Sequence, residues 1–433
     1  MASSDTERID TWVVDHQDEL FNFLCRLVQT PSEVKPPVGS EQACQRIVEQ
    51  AYRTACDRVD VFDPIDVPGL REHPAYRAEW DGQPRNLSNR PVVVGVLEGT
   101  GGGRSLLFSA HVDTVTAGDP ATWKESTPFS GEIKNGRLYG RGAWDTKWGI
   151  AVGLFAARAA RECFGPLRGN LIIESVSDEE FGGSHGVLAA RLRGYNADAA
   201  INAEPTSLVC APAHRGGTAW KVIVRGDSGR GFAGQRLSNP VDKLARIIEI
   251  LREYDRQRAP LDHPPRFYES DPYLPTYIQQ VNGGGSAFAD SIGAPSECSL
   301  SLWTEEHPET SEEAHKRGFI GYINTHLACD PGFDGVLPEY RQQFRYVYGS
   351  QMDPAHPIFG ALERSFTSSN LPFHVDGAKF ACDTYIFNRH SPTPALTLGP
   401  NGGNAHAADE YVLTQDVIDL TRIYARLALE WCG

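Results

Sequence analysis

Four short apolar runs, at 105–109, 170–175, 199–203 and 395–398, restrict the fold of this chain more than any other feature. Each has the length and composition of a strand buried on both faces. Each runs directly into an ionisable or glycine-rich segment. The first ends at Ala110-His111-Val112-Asp113-Thr114 and the second at Ser177-Asp178-Glu179-Glu180-Phe181-Gly182-Gly183. The third ends at Glu204-Pro205-Thr206, and the fourth at Gly399-Pro400-Asn401-Gly402-Gly403-Asn404-Ala405-His406. Apolar residues at helical spacing occupy 7–29, 40–56, 147–162, 357–368 and 414–431. Strands alternating with helices predict an α/β fold, a mostly parallel sheet flanked by helices. In such open sheets ligands bind beyond the carboxyl ends of the strands. His111, Glu179, Glu180 and Glu204 fall at such ends, and His406 lies in the loop after the last one.

The stretch Gly140-Arg141-Gly142-Ala143-Trp144-Asp145-Thr146-Lys147-Trp148-Gly149 adds a further carboxylate at a strand-to-helix junction, because Leu138 and Tyr139 precede it as a short strand. Its glycines allow positive φ or close backbone approach. Taken singly these residues are unremarkable. An Asp beside Gly is commonly a turn or an N-cap, a Glu-Glu pair commonly a solvated face, and a loop His commonly just that. Their joint placement at strand ends is what singles them out.

Together they supply what two neighbouring divalent metals require: a bridging carboxylate, terminal imidazole and carboxylate ligands, and room for a water. Asp145 is the candidate bridge, His111 and His406 the imidazoles, Glu180 and Glu204 the terminal carboxylates. Asp113, two residues past His111, is expected to fix the imidazole tautomer with its carboxylate. Adjacent residues at a strand end point in different directions. Glu179 can thus face the water held by the metals as general base while Glu180 binds metal. Oxygen and nitrogen donors without thiolate suit Zn, with Mn or Co as alternatives.

From about 215 the pattern changes to alternating strands and helices of another kind (218–224, 241–254, 298–303, 311–327, 341–348), with a Pro-, Gly- and Tyr-rich segment at 257–296 that matches neither period. The expected organisation is a catalytic domain of 1–214 with 350–433, interrupted by an α+β domain of 215–349. A chain of 433 residues fits two domains. The net charge of -15 argues against nucleic-acid or anionic-membrane partners and is compatible with a small-molecule substrate. Nine scattered cysteines without a Cys-x-x-Cys pair point to free thiols in a reducing compartment. The polar N-terminal segment lacks a secretion-signal layout, and no apolar run approaches a membrane span, so a cytoplasmic location is expected.

The stretches Ser-Ala-His111-Val-Asp113-Thr-Val, Leu-Tyr-Gly-Arg-Gly-Ala-Trp-Asp145-Thr-Lys, Ser-Asp-Glu179-Glu180-Phe-Gly-Gly, Asn-Ala-Glu204-Pro-Thr and Ala-His406-Ala-Ala-Asp-Glu410 resemble the dinuclear zinc amidohydrolase family of aminoacylase, acetylornithine deacetylase, succinyl-diaminopimelate desuccinylase and bacterial glutamate carboxypeptidase. The resemblance implies that His111 and Glu204 hold one metal, Glu180 and His406 the other, and that Asp145 bridges. It also implies that the inserted domain is a lid that closes over substrate and mediates homodimerisation.

Two departures stand out. The family's Gly-x-x-x-His stretch, whose His stabilises the oxyanion in the partner's site, has Arg230 in its place. An Arg can stabilise negative charge but cannot transfer a proton. The family's Asp-x-Arg, whose Arg grips a substrate carboxylate, is replaced by Trp303 and Glu305 in Leu302-Trp303-Thr304-Glu305-Glu306-His307-Pro308. Arg215 is a candidate clamp instead, and Asp383 matches a family position near the site. The reaction expected is hydrolysis of a C–N bond in a small carboxylate-bearing N-acyl amino acid or dipeptide, by metal-bound hydroxide and a Glu base. Two alternatives stand beside it. One is hydrolytic deamination of an aromatic amine, as in the family relative nitroanthranilate aminohydrolase. The other is a metal-binding module without turnover.

Overall fold

The computed structural model describes residues 3–80, 82–182, 184–229, 236–258, 263–283 and 293–433. The chain opens with helices α1 (Ser3–Asp15), α2 (Gln17–Gln29) and α3 (Gln42–Ala55). The expected single helix over 7–29 is thus two. His16 leaves helical geometry at φ -111 and ψ 9. Its ring stacks on Trp12 at 3.9 Å and bonds the Trp12 carbonyl at 2.8 Å. Strands β1 (Arg58–Phe62), β2 (Val92–Leu97) and β3 (Leu106–His111) follow, then α4 (Lys147–Phe164), β4 (Leu171–Val176), α5 (His185–Leu192) and β5 (Ala199–Asn202).

A second unit contains β6 (Gly216–Arg225), α6 (Pro240–Arg258), β7 (Thr276–Gly283), β8 (Glu297–Glu306), α7 (Glu312–Leu327) and β9 (Glu339–Gln342). The chain then returns through α8 (Ile358–Thr367), α9 (Thr384–His390), β10 (Ala395–Thr397) and α10 (Thr414–Cys432).

The first sheet is six-stranded, in the order β10-β5-β3-β4-β2-β1. β10, β5, β3 and β4 run parallel, whereas β2 and β1 are antiparallel to their neighbours. The sheet is therefore mixed. The antiparallel pair forms one edge of the sheet, with β2 bonded to β4, the strand that leads into Glu179 and Glu180. β2, β3, β4 and β5 are buried at every residue, as strands covered on both faces must be. One face packs against α1, α2, α3, α4, α8 and α10, and the other against α5 and α9.

Helix α4 is apolar almost all round because it lies between the sheet and other helices. It approaches the sheet closely through small residues. A Cβ at Gly149 would stand 2.4 Å from the Ala203 Cβ and 2.9 Å from the Ala110 Cβ. This contact seats the helix that begins immediately after Asp145.

The second sheet is four-stranded and antiparallel, in the order β7-β8-β6-β9. Trp220, Val222, Leu300 and Leu302 on one face pack with Leu244, Ile247, Leu251, Phe319 and Ile323 of α6 and α7. The strand expected over 341–348 ends at Gln342, where the chain leaves the sheet. The unassigned segment 257–296 contains the edge strand β7, part of it lying outside the described residues. Among the described residues no helix is long and apolar enough to cross a membrane.

The contact at Gly149 decides the sign of one substitution. Gly149→Ala would gain up to about 1 kcal/mol of helix propensity. Overpacking against Ala203 and Ala110 costs about 1–3 kcal/mol. Urea unfolding should therefore show a net loss of up to about 2 kcal/mol, and a variant more stable than wild type would contradict the packing described.

Candidate metal centre

His111 is the last residue of β3 and is 2% exposed. Its Nδ1 lies 2.9 Å from the backbone carbonyl of Asp113. A carbonyl only accepts, so Nδ1 carries a hydrogen and Nε2 is the nitrogen turned toward Asp145. Nε2 is 3.0 Å from Asp145 Oδ1. The other Asp145 oxygen, Oδ2, is 3.2 Å from His406 Nε2, which is also 2.9 Å from Glu180 Oε2. Asp145 thus faces a different imidazole with each oxygen. Ligand atoms of His111, Asp145 and Glu180 all lie within 4.8 Å of one another. Glu204, two residues past β5, is 4% exposed, and its carboxyl is raised by burial and by the charges of Asp145 and Asp383, which outweigh His111.

The chain fixes each of these groups from behind. The backbone N–H groups of Trp144 and Asp145 donate to Glu410 Oε1 at 2.9 and 3.1 Å. Glu410 Oε2 accepts from Arg141 at 2.5 Å, and Arg141 also donates to the carbonyl of Ala407 beside His406. One buried ion pair thereby ties the Asp145 loop to the His406 loop. Gly142, at φ +83, makes room: a Cβ there would meet Thr114 Cγ2 at 2.7 Å.

Asp113 has a different task from the one expected. Its carboxylate is 3.9 Å from the His111 ring, and its backbone carbonyl sets the tautomer instead. Asp113 Oδ2 accepts from the backbone N–H groups of Glu179 and Glu180 at 3.0 and 3.1 Å. The His111 strand end therefore holds the neighbouring Glu-Glu step in place. Glu180 Oε1 in turn accepts from the N–H of Val115 at 3.1 Å.

The sequence reading missed what stands behind that step. Asp178 is fully buried at φ 69 and accepts from Arg90 at 2.7 Å, Arg85 at 3.1 Å and His185 Nδ1 at 2.6 Å. Arg85 also donates to the Phe181 carbonyl at 2.6 Å, and Arg90 to Glu41 at 2.8 Å. Burial would raise the Asp178 carboxyl, but Arg90 and Arg85 hold it well below the usual range. Only Asp178 was visible, as a neighbour of the Glu pair. The arginines lie in a stretch, 63–90, that reads as an irregular loop.

The remaining candidates separate. Asp383 lines the same cavity, of about 890 Å³, as Asp145, Glu179, Glu180, Glu204 and His406. Its carboxyl is pushed up to about 7 by burial, and its Oδ2 has no hydrogen-bond partner among the described residues. Arg215 does not line the cavity. Its guanidinium donates to Glu305 at 2.7 Å and to the Asp271 carbonyl at 3.2 Å, so it is not available as a free clamp. Arg230 lies outside the described residues.

The donor set fits two divalent cations. Asp145, Glu179, Glu180 and Glu204 place four carboxylates around two imidazoles. No lysine or arginine is among the described residues lining the cavity. The crowding shows in the titration of the groups. The His406 imidazole is raised by the charge of Glu180 against burial, and the His111 imidazole, despite burial, by Asp145 and Glu179. Glu179 is raised by burial, then by Asp383, Glu204 and Glu180, with His111 opposing.

The Asp178–His185 contact sets an acid limit on the fold. His185 is buried and pushed down to about 4, burial outweighing Asp178, so the folded state holds it neutral. Its unfolded value is about 6.5. The stabilisation is therefore complete above about pH 6.5 and is lost as pH falls toward 4. The unfolding free energy should fall between pH 7 and 4.5, and less steeply in His185→Gln. Equal slopes for both proteins would contradict this account.

The model for peptidase family M20/M25/M40 matches residues 107–430. The chain is 27% identical to the N-formyl-4-amino-5-aminomethyl-2-methylpyrimidine deformylase of Bacillus subtilis, over 97% of this chain and 96% of that one. It is 35% identical to the succinyl-diaminopimelate desuccinylase of Rhodopseudomonas palustris, over 75% of this chain and 81% of that one. The di-peptidase Dug1p of Saccharomyces cerevisiae superposes with a TM-score of 0.75 at 15% identity, covering 100% of this chain and 99% of that one.

Proposed function

The chain belongs to peptidase family M20/M25/M40, a family of C–N bond hydrolases, and from that premise we propose that it cleaves the amide bond of a small N-acyl compound at the centre around Asp145, with Glu179 as general base. The observation that carries the proposal is the pairing of the two Asp145 oxygens with two imidazoles beside the Glu179-Glu180 step. His111 and Glu204 would hold one divalent cation, Glu180 and His406 the other, and Asp145 both. The oxygen and nitrogen donors suit zinc, and also manganese or cobalt. When bound, the cations would polarise the substrate carbonyl and make a water between them more acidic.

The chain's own residues supply proton transfer and position. Glu179 takes the proton from the attacking water and delivers it to the leaving nitrogen. A C–O bond forms, the C–N bond breaks, and an acid and an amine leave. Burial and neighbouring carboxylates raise Glu179 above the usual carboxylate range, which makes it the better proton acceptor. Asp113 holds the backbone of both Glu179 and Glu180, so base and ligand keep a fixed relation. Asp383, which lines the cavity with a carboxyl at about 7, would hydrogen-bond the substrate.

We further assign 215–349 as a lid that closes over the substrate and joins two copies of the chain. Strand β7 at the sheet edge supports this, with Tyr277 50% and Val281 56% exposed. Relatives that remove formyl or succinyl groups make N-formyl and N-succinyl amines the first compounds to try, beside N-acyl amino acids and dipeptides. A second reading, hydrolytic deamination of an aromatic amine, is favoured by the aromatic side chains Trp80, Phe181, Trp303 and Phe344 in the cavity wall. It would release ammonia and replace the amine by hydroxyl.

Glu179→Gln should keep its bound metal and lose about 10²–10⁴ in kcat, the range that a positioned acid–base group supplies. Metal content and mass-spectrometric product formation from an N-acyl pool measure both. A variant that retains more than a tenth of wild-type turnover would remove Glu179 from this role.

A further inference from the structure

Much of the cavity wall belongs to the second sheet, and the proton transfer described above does not use it. Side chains alternate along β8. Leu300 and Leu302 turn toward α6 and α7, while Ser301, Trp303 and Glu305 line the cavity. Trp303 sits between Ala219 on β6 and Tyr277 on β7, and it meets Phe344 edge-on at 5.6 Å. Trp303 and Phe344 thus form an aromatic wall of the cavity, with the Glu305 carboxylate two residues along β8 from Trp303.

Glu305 is 4% exposed, and its Oε2 accepts from Arg215 at 2.7 Å. Arg215 stands behind it, outside the cavity lining. A second carboxylate brought to this point would meet like charge in a poorly solvated space. A planar group bearing N–H donors would find an aromatic face and an acceptor together. Burial pushes the Glu305 carboxyl up to about 7 even with Arg215 in contact and Arg258 nearby, so the two cations leave it under-compensated.

We propose that Glu305 selects the substrate: beside Trp303 it accepts from a planar, N–H-bearing amine-side group of amidine or amino-heteroaromatic type, and it excludes a free carboxylate from that position. The inference rests on the amide-hydrolase reading of the same cavity.

Three matched probes test it: N-acetyl-4-amidinobenzylamine, N-acetylbenzylamine and N-acetyl-4-(aminomethyl)benzoate. Metal-loaded wild type should split the amidine with kcat/KM at least about tenfold above the carboxylate, as one charge-assisted hydrogen bond implies, and the difference should lie in KM. Calorimetry with the product amines, 4-(aminomethyl)benzamidine and 4-(aminomethyl)benzoate, should give the same order of affinity. Glu305→Gln should reduce both ratios about tenfold. A wild-type protein that prefers the carboxylate probe, or treats the two alike, overturns the assignment and leaves the hydrolase reading intact. A folded Glu305→Gln with unchanged ratios also overturns it. Tighter binding of the amidine amine without hydrolysis of any probe or pooled N-acyl compound would support Glu305 and contradict the hydrolase reading. The wild-type comparison does not depend on the variant folding.

Discussion

The two oxygens of Asp145 face two different imidazoles, and much of the surrounding structure serves to keep them there. Four carboxylates gathered in a mostly buried space repel one another, and each would rather be solvated. The chain counters this with backbone restraint. Glu410 holds the N–H groups on either side of the Trp144–Asp145 step, and Arg141 anchors Glu410 while reaching the His406 loop. Asp113 holds the Glu-Glu step by two amide hydrogens. Asp178, compensated by Arg85 and Arg90, closes the loop from the far side. Truncating one member of such a buried pair leaves an uncompensated charge and costs about 3–5 kcal/mol. The geometry of the centre is therefore rigidly imposed by its supports.

The parallel strands were legible because their apolar runs have no solvent face, and the candidate site because ionisable groups stand at their ends. The boundaries of α4, β4, α8 and α10 fall within a residue or two of the periodicity. The supports were less legible. Arg85 and Arg90 are separated from Asp178 by about ninety positions, and nothing in local spacing links them. Asp113 was noticed for its distance from His111 along the chain, yet the strand turns its carboxylate toward the next loop. Antiparallel β1 and β2 carry no periodicity different from that of parallel strands, so the mixed character of the sheet was not readable. Arg215 illustrates a general limit. An arginine near a site is a candidate clamp until its partner is known, and here the partner is Glu305, 90 positions away.

Arg215 and Glu305 both belong to the second unit, whose sheet meets the first at the cavity. On the proposed function, the first sheet would supply the chemistry that any N-acyl compound meets. The second supplies Trp303, Glu305 and the glutamines of the β7 bulge, which would meet only the part of the substrate that differs between compounds. On that reading, reaction type and substrate choice would lie on separate elements, and a change of substrate would require no change at the strand ends.

The central claim is that Asp145 joins two cations. Crystals of the protein loaded with zinc, with anomalous data collected on either side of the zinc edge, test it directly. The account predicts two peaks flanking the Asp145 carboxylate, one beside His111 and Glu204 and one beside Glu180 and His406. A single peak, or two that do not share Asp145, would contradict it.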